Sequence, residues 1–114
     1  MAENQVRVLH ILQKHTDSRN PFDRYRNKQV TRSKDEAIAN IQNIRSQISS
    51  ADDFQRLAQE HSECGSAAQM GDLGFFGPGQ MQAAFEQASF ALEVNAISDL
   101  VDTDSGIHII FRVA

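Results

Sequence analysis

Two periods of apolar and polar residues alternate along the 114-residue chain. In "VRVLHILQ", residues 6–13, apolar and polar positions first alternate, which predicts a strand placing His10 on the face of Val6, Val8 and Leu12. The following stretch, "KHTDSRNPFDRYRNKQVTR" at 14–32, loses that period and predicts a long loop, of the kind that in small domains carries function or stays disordered. Ser33 followed by Glu36 has the form of a capping box, and Ile38, Ile41, Ile44 and Ile48 recur at helical spacing, predicting a helix over about 34–48. Ser50 with Asp53, then Phe54, Leu57, Ala58 and His61, predicts a second, shorter helix. After Cys64, "CGSAAQMG" has room for one further turn, and "DLGFF" predicts a short strand stopped by "GPG" at 77–79. A helix is expected from Met81 to Ala88, with Met81, Ala84, Phe85 and Ala88 on one side. The final "ISDLVDTDSGIHIIFRVA" predicts two strands joined at "DTDSG", with Ile107, Ile109, Phe111 and Val113 on one face and His108, Ile110 and Arg112 on the other. The order of these elements predicts an α+β fold, helices packed on a small, mainly antiparallel sheet, without repeats or a second domain.

Composition narrows the partners. With 40% hydrophobic and 23% charged residues, the chain is of the ordinary soluble globular class, and its length suits one core. Fifteen acidic against 11 basic side chains leave a net charge of -4, which argues against a general nucleic-acid partner. No run approaches the roughly 18 apolar residues of a membrane span, and the polar start "MAENQ" is unlike a signal peptide. No membrane partner, a cytoplasmic or nuclear location and a monomer are therefore expected. The lone Cys64 excludes an internal disulfide, so its interest lies in reactivity or placement.

The candidate chemistry has competing readings. Only His10, His61, Cys64 and His108 offer a converging metal set, but none shows the close paired spacing of a zinc motif, so no metal or cofactor is expected. Cys64 with a histidine suggests a nucleophile, since a nearby cation lowers a thiol's pKa, yet "SECGSA" matches no protease signature. Taken singly, His10 and His108 read as buried strand histidines, and Leu73, Met81 and Phe85 as core. The basic residues Lys14, Arg19, Arg24 and Arg26, with Lys28 and Arg32 nearby, read either as a solvated surface or as a phosphate site beside the His10 strand.

Three stretches together resemble one family. "LHILQKH", "ECGSAAQMGDLGFFGPGQMQAAFEQASFAL" and "TDSGIHIIFR" are similar to the parvulin family of peptidyl-prolyl cis/trans isomerases, in its Pin-type branch, and the likeness runs from about Val6 to the C-terminus. It implies a parvulin-like (FKBP-like) four-stranded, mainly antiparallel sheet flanked by about four helices. Residues 5–114 would form the catalytic domain and 1–4 a short polar tail. By the same resemblance, His10 and His108 are paired core histidines with Thr103 in their hydrogen-bond network, and Cys64 lines the active site above them. Leu73, Met81 and Phe85 would receive the substrate proline, Gln82 and Ser105 would lie near the isomerising amide, and Lys14 and Arg19 would bind the phosphate of a phosphoSer or phosphoThr before it.

Two departures from the family pattern bear on this. The family commonly has adjacent arginines in the phosphate loop, and here Arg19 is followed by Asn20, which leaves Arg24 or Arg26 to compensate. The chain also begins at the catalytic domain and has no Trp, so no WW module is expected to share in targeting. The implied activity is isomerisation of X-Pro bonds, preferring phosphoSer/Thr-Pro protein or peptide substrates. A phosphopeptide-binding module with little turnover is the alternative, because the same pocket and loop would serve binding alone.

Overall fold

Strand β1 (Val6–Gln13) divides the molecule into two cores. The computed structural model describes residues 4–114; of the polar tail expected at 1–4, all but Asn4 lie outside the described residues. Alternation along β1 sends Val6 and Val8 to one core, with Phe76, Phe85 and Ile110, and Leu9 and Ile11 to the other, with Ile41, Phe54, Leu57 and Ile109. Each large apolar side chain fully buried in this way contributes about 1.5–3 kcal/mol.

The remaining strands of the main sheet are β4 (Asp72–Phe76), β5 (Val101–Thr103) and β6 (Gly106–Arg112), in the order β4-β1-β6-β5 with every pair antiparallel. Helices α1 (Lys34–Ser46) and α2 (Ala51–His61) supply the second core, and α3 (Ala83–Ala91) supplies Phe85 to the first. A 3-10 turn at Gly65–Gln69 follows Cys64. Among the described residues from β1 onward, three α-helices and this turn flank the sheet, in the order the sequence predicts. Ser33 and Glu36 form the expected capping box, and Ser50 caps α2 through the Asp53 N–H.

Three details differ from expectation. Helix α1 stops at Ser46, with Gln47 as its cap, two residues before the predicted limit. The long loop contains a small hairpin, β2 (Phe22–Asp23) with β3 (Lys28–Gln29), made possible by Asn27 in the left-handed region and by buried Asp23, which accepts from the Tyr25 and Arg26 N–H groups. Helix α3 begins at Ala83 rather than Met81, because Gln82 is extended at its N-cap; Ala84 is consequently exposed, and Ser89 joins Phe85 on the buried side.

Candidate active site

The alternation of β1 and β6 that fills the first core also brings two histidines together over Phe85. His10 lies opposite Ile110, and His108 opposite Leu12, so the histidines are diagonal neighbours on adjacent strands. Their Nδ1 atoms are 3.0 Å apart, and their rings stack at 5.2 Å with 23° between planes. Phe85 meets both edge-on, at 5.4 and 5.1 Å. His108 Nε2 is 2.7 Å from Thr103 Oγ1 on β5, and His10 Nε2 is 3.2 Å from Ser66 Oγ in the 3-10 turn. The result is a buried hydrogen-bonded line, Thr103–His108–His10–Ser66, crossing three strands.

A hydrogen bond between two Nδ1 atoms needs one proton between them, so the rings carry complementary roles, one donating and one accepting. Burial and the neighbouring His10 hold His108 well below the usual imidazole range, which makes it the neutral partner at pH 7. Burial pushes the Cys64 thiol up, but His10, by hydrogen bonding and charge, together with Ser66, outweighs that and leaves it lowered to about 6. At neutral pH Cys64 is therefore largely thiolate. The lowering comes from His10 and Ser66; among the described residues no group of three His, Cys, Asp or Glu is placed to hold a metal. His61 takes no part, lying on the surface beside Glu60.

Two hollows meet at Cys64. One, of about 300 Å³ and mostly apolar, is lined by Leu73, Met81 and Phe85, with His10, Gln82, Thr103, Ser105 and His108 among its polar walls. The other, of about 370 Å³, is lined by Lys14, Arg19, Asn20, Arg24 and Glu63. Cys64 and Ser105 line both. Gln82 is drawn to this boundary because its side-chain Nε2 donates to Ser105 Oγ at 2.8 Å and its Oε1 accepts from the Asp104 N–H at 3.2 Å. Arg19 is held there through its own N–H, which donates to the Asp104 carbonyl at 2.7 Å.

All eleven residues singled out from the sequence thus line one groove or, with Lys14 and Arg19, its cationic end. Of the two candidates to replace the missing arginine, Arg24 enters the cationic hollow and Arg26 does not. Arg26 instead donates to the carbonyls of Gln59, Glu60 and Ser62, satisfying the end of α2, and pairs with Asp23. Sequence reasoning missed Ser66, Glu63 and Gln80. Nothing local marks them, since each acquires its place only when distant segments meet.

A groove with an apolar end, a cationic end and polar groups between them has the shape and chemistry to hold a peptide on both sides of one backbone bond. The comparisons with known proteins supply the family. The sequence matches the rotamase family, described as the PPIC-type PPIase domain, over residues 10–113. It is 50% identical over 117 residues to the peptidyl-prolyl cis-trans isomerase NIMA-interacting 1 of Theileria annulata, covering 99% of this chain and 82% of that protein. It is 47% identical to peptidyl-prolyl cis-trans isomerase Pin1 of Digitalis lanata, covering 98% of each. Among solved structures, peptidyl-prolyl isomerase ESS1 from Candida albicans superposes with a TM-score of 0.93 at 38% identity, over all of this chain and 65% of that one. The solution structure of TbPIN1 gives 0.88 at 40% identity, over 98% of this chain and 99% of that one. The chain belongs to the PPIC-type, or parvulin, family of peptidyl-prolyl cis-trans isomerases, and the isomerase activity follows from that membership.

Proposed function

We propose that the two hollows hold a phosphoSer-Pro or phosphoThr-Pro segment, proline in the apolar one and phosphate in the cationic one. The X-Pro amide then lies at the boundary made by Cys64 and Ser105. That shared boundary is the observation that carries the reading. A phosphorylated residue directly precedes the proline, so its phosphate and the proline ring project from either side of the bond to be turned.

The chemistry asks for no covalent step. Rotation about the amide meets a barrier of about 18–20 kcal/mol because resonance gives the C–N bond double-bond character and places negative charge on the carbonyl oxygen. The two X-Pro ground states differ by only about 0.5–1 kcal/mol, so the problem is rate. A site accelerates rotation by binding the twisted amide better than either planar form, at about 1.4 kcal/mol for each factor of ten. Leu73, Met81 and Phe85 fix the ring, while Lys14, Arg19 and Arg24 fix the phosphate. A thiolate at Cys64 near the carbonyl opposes the charge that resonance puts there, weakening the double bond. Ser105 and Gln82 offer polar contacts to the same amide. The line Thr103–His108–His10 keeps the thiolate in place and the floor of the site rigid.

Lys14 spends part of its donor capacity on the Phe22 carbonyl at 2.6 Å, which orients its ammonium group toward the loop. Arg24 is assigned the third cationic contact, and Asn20 a neutral one. The test is the ratio of kcat/KM on matched pSer-Pro and Ser-Pro peptides. Replacing Lys14 and Arg19 by Ala should lower that ratio about 100-fold, and adding Arg24→Ala about fivefold more, as expected for charge-assisted contacts at a partly exposed site. A ratio unmoved by all three substitutions would place the phosphate elsewhere.

A further inference from the structure

Glu63 is out of character with the hollow it lines. Its carboxylate is buried in the wall that Lys14, Arg19 and Arg24 make positive. A buried carboxylate beside an anion site opposes the anion unless a partner neutralises and fixes it. Arg32 does so without lining the hollow itself. Its Nη1 donates to Glu63 Oε1 at 2.5 Å and to the Lys14 carbonyl at 2.9 Å. The same Oε1 accepts the Lys14 backbone N–H at 2.7 Å.

This closed ring has a specific place in the fold. Pairing of β1 with β6 ends at Gln13 opposite Ile107, so Lys14 is the first residue beyond the ladder. Glu63 and Arg32 supply the acceptor and donor that a neighbouring strand no longer provides. The segment carrying Glu63 is bound to β1 as well. Its backbone N–H donates to the Leu12 carbonyl at 2.8 Å, and Ser62 Oγ accepts from the Leu12 N–H at 3.1 Å and the Cys64 N–H at 3.5 Å. One short segment therefore fixes the spacing between Lys14 and Cys64.

We infer that the Glu63–Arg32 pair is a positioning brace: it sets Lys14 at a fixed distance from Cys64 and thereby makes the groove selective for a phosphate directly before the proline. The inference rests on the phosphate reading above and adds to it the part of the molecule that enforces it. Both residues act through Lys14, not on the substrate. The brace also explains why a carboxylate is tolerated here: its charge is offset by Arg32, and its oxygen serves the Lys14 peptide.

The test uses the full chain and the same two peptides, with KM and kcat measured separately. Glu63→Ala and Arg32→Met should each lower the pSer-Pro to Ser-Pro ratio about tenfold, chiefly through KM for the phosphopeptide. Glu63→Gln, whose amide oxygen still accepts both bonds, should keep the ratio within about threefold of the parent. Should Glu63→Ala not fold, Arg32→Met alone carries the test, because it removes both bonds that Nη1 donates. A raised ratio in Glu63→Ala would show that Glu63 merely repels the anion, and equal losses on both peptides would show general support of the fold; either overturns the brace. A parent protein that turns over both peptides equally would overturn the phosphate reading, and the brace with it. A discriminating parent whose variants discriminate as well would overturn the brace alone.

Discussion

Cys64 is the residue to which the proposed function assigns the central electrostatic role, and its neighbours decide its state. Removing a histidine's help would return it to an ordinary thiol, since burial alone pushes it up. The role assigned to it is electrostatic, so Cys64→Asp, which keeps a negative charge, should retain activity within about tenfold, whereas Cys64→Ala should lose about 100-fold. Near-complete loss in both would mean the sulfur attacks the carbonyl. The pH dependence has a definite sign. Because the folded thiol is lowered to about 6, the thiolate is present above that value and lost below it, and kcat/KM should fall as the pH falls through 6. A Glu-Pro peptide is the substrate to use, because a phosphate itself titrates near pH 6. In Cys64→Asp the fall should move to lower pH. In the sequence alone the thiol is open to several roles. The groups that lower its pKa, His10 and Ser66, come beside it through a strand register and a turn that periodicity does not specify.

Elements hold these residues through a few close backbone approaches. Gly71, just past the 3-10 turn and its Met70 cap, has φ +86, and its carbonyl accepts the His10 N–H at 2.9 Å. A Cβ there would sit 2.6 Å from the His10 carbonyl oxygen and 3.0 Å from the Ala58 Cβ. Gly71→Ala therefore combines left-handed strain with a backbone clash and should cost about 2–4 kcal/mol, read as a lower urea midpoint at unchanged m-value. A loss under about 0.5 kcal/mol would contradict the close packing of the turn on β1. Elements with local signals were legible in the sequence. Alternation marked β1 and β6, and the capping box marked α1 to within two residues of its end. Features set by distant segments carry no such local signal. Gln82 lies outside the predicted helix because its side chain is engaged by the β5–β6 turn, and the β2–β3 hairpin is hidden in a loop whose Arg26, held by Asp23, binds the distant end of α2.

At the scale of the whole molecule, the two faces of the sheet have separate tasks. The face under α1 and α2 is closed over Phe54, Ile41 and Ile109. The other face places Phe85 beneath both histidines and leaves the groove open between α3, the 3-10 turn and the basic loop. The cationic hollow concentrates positive potential, against a net charge of -4, where the proposed phosphate would enter, and the preference it gives an anionic peptide over a neutral one weakens with salt. The most direct measurement is cis/trans exchange spectroscopy on two otherwise identical peptides, pSer-Pro and Ser-Pro, with the protein substoichiometric. The two-hollow groove predicts added exchange in both, markedly faster for pSer-Pro. No added exchange in either peptide would contradict rotation at the Cys64–Ser105 boundary, and equal rates would contradict the phosphate site beside it.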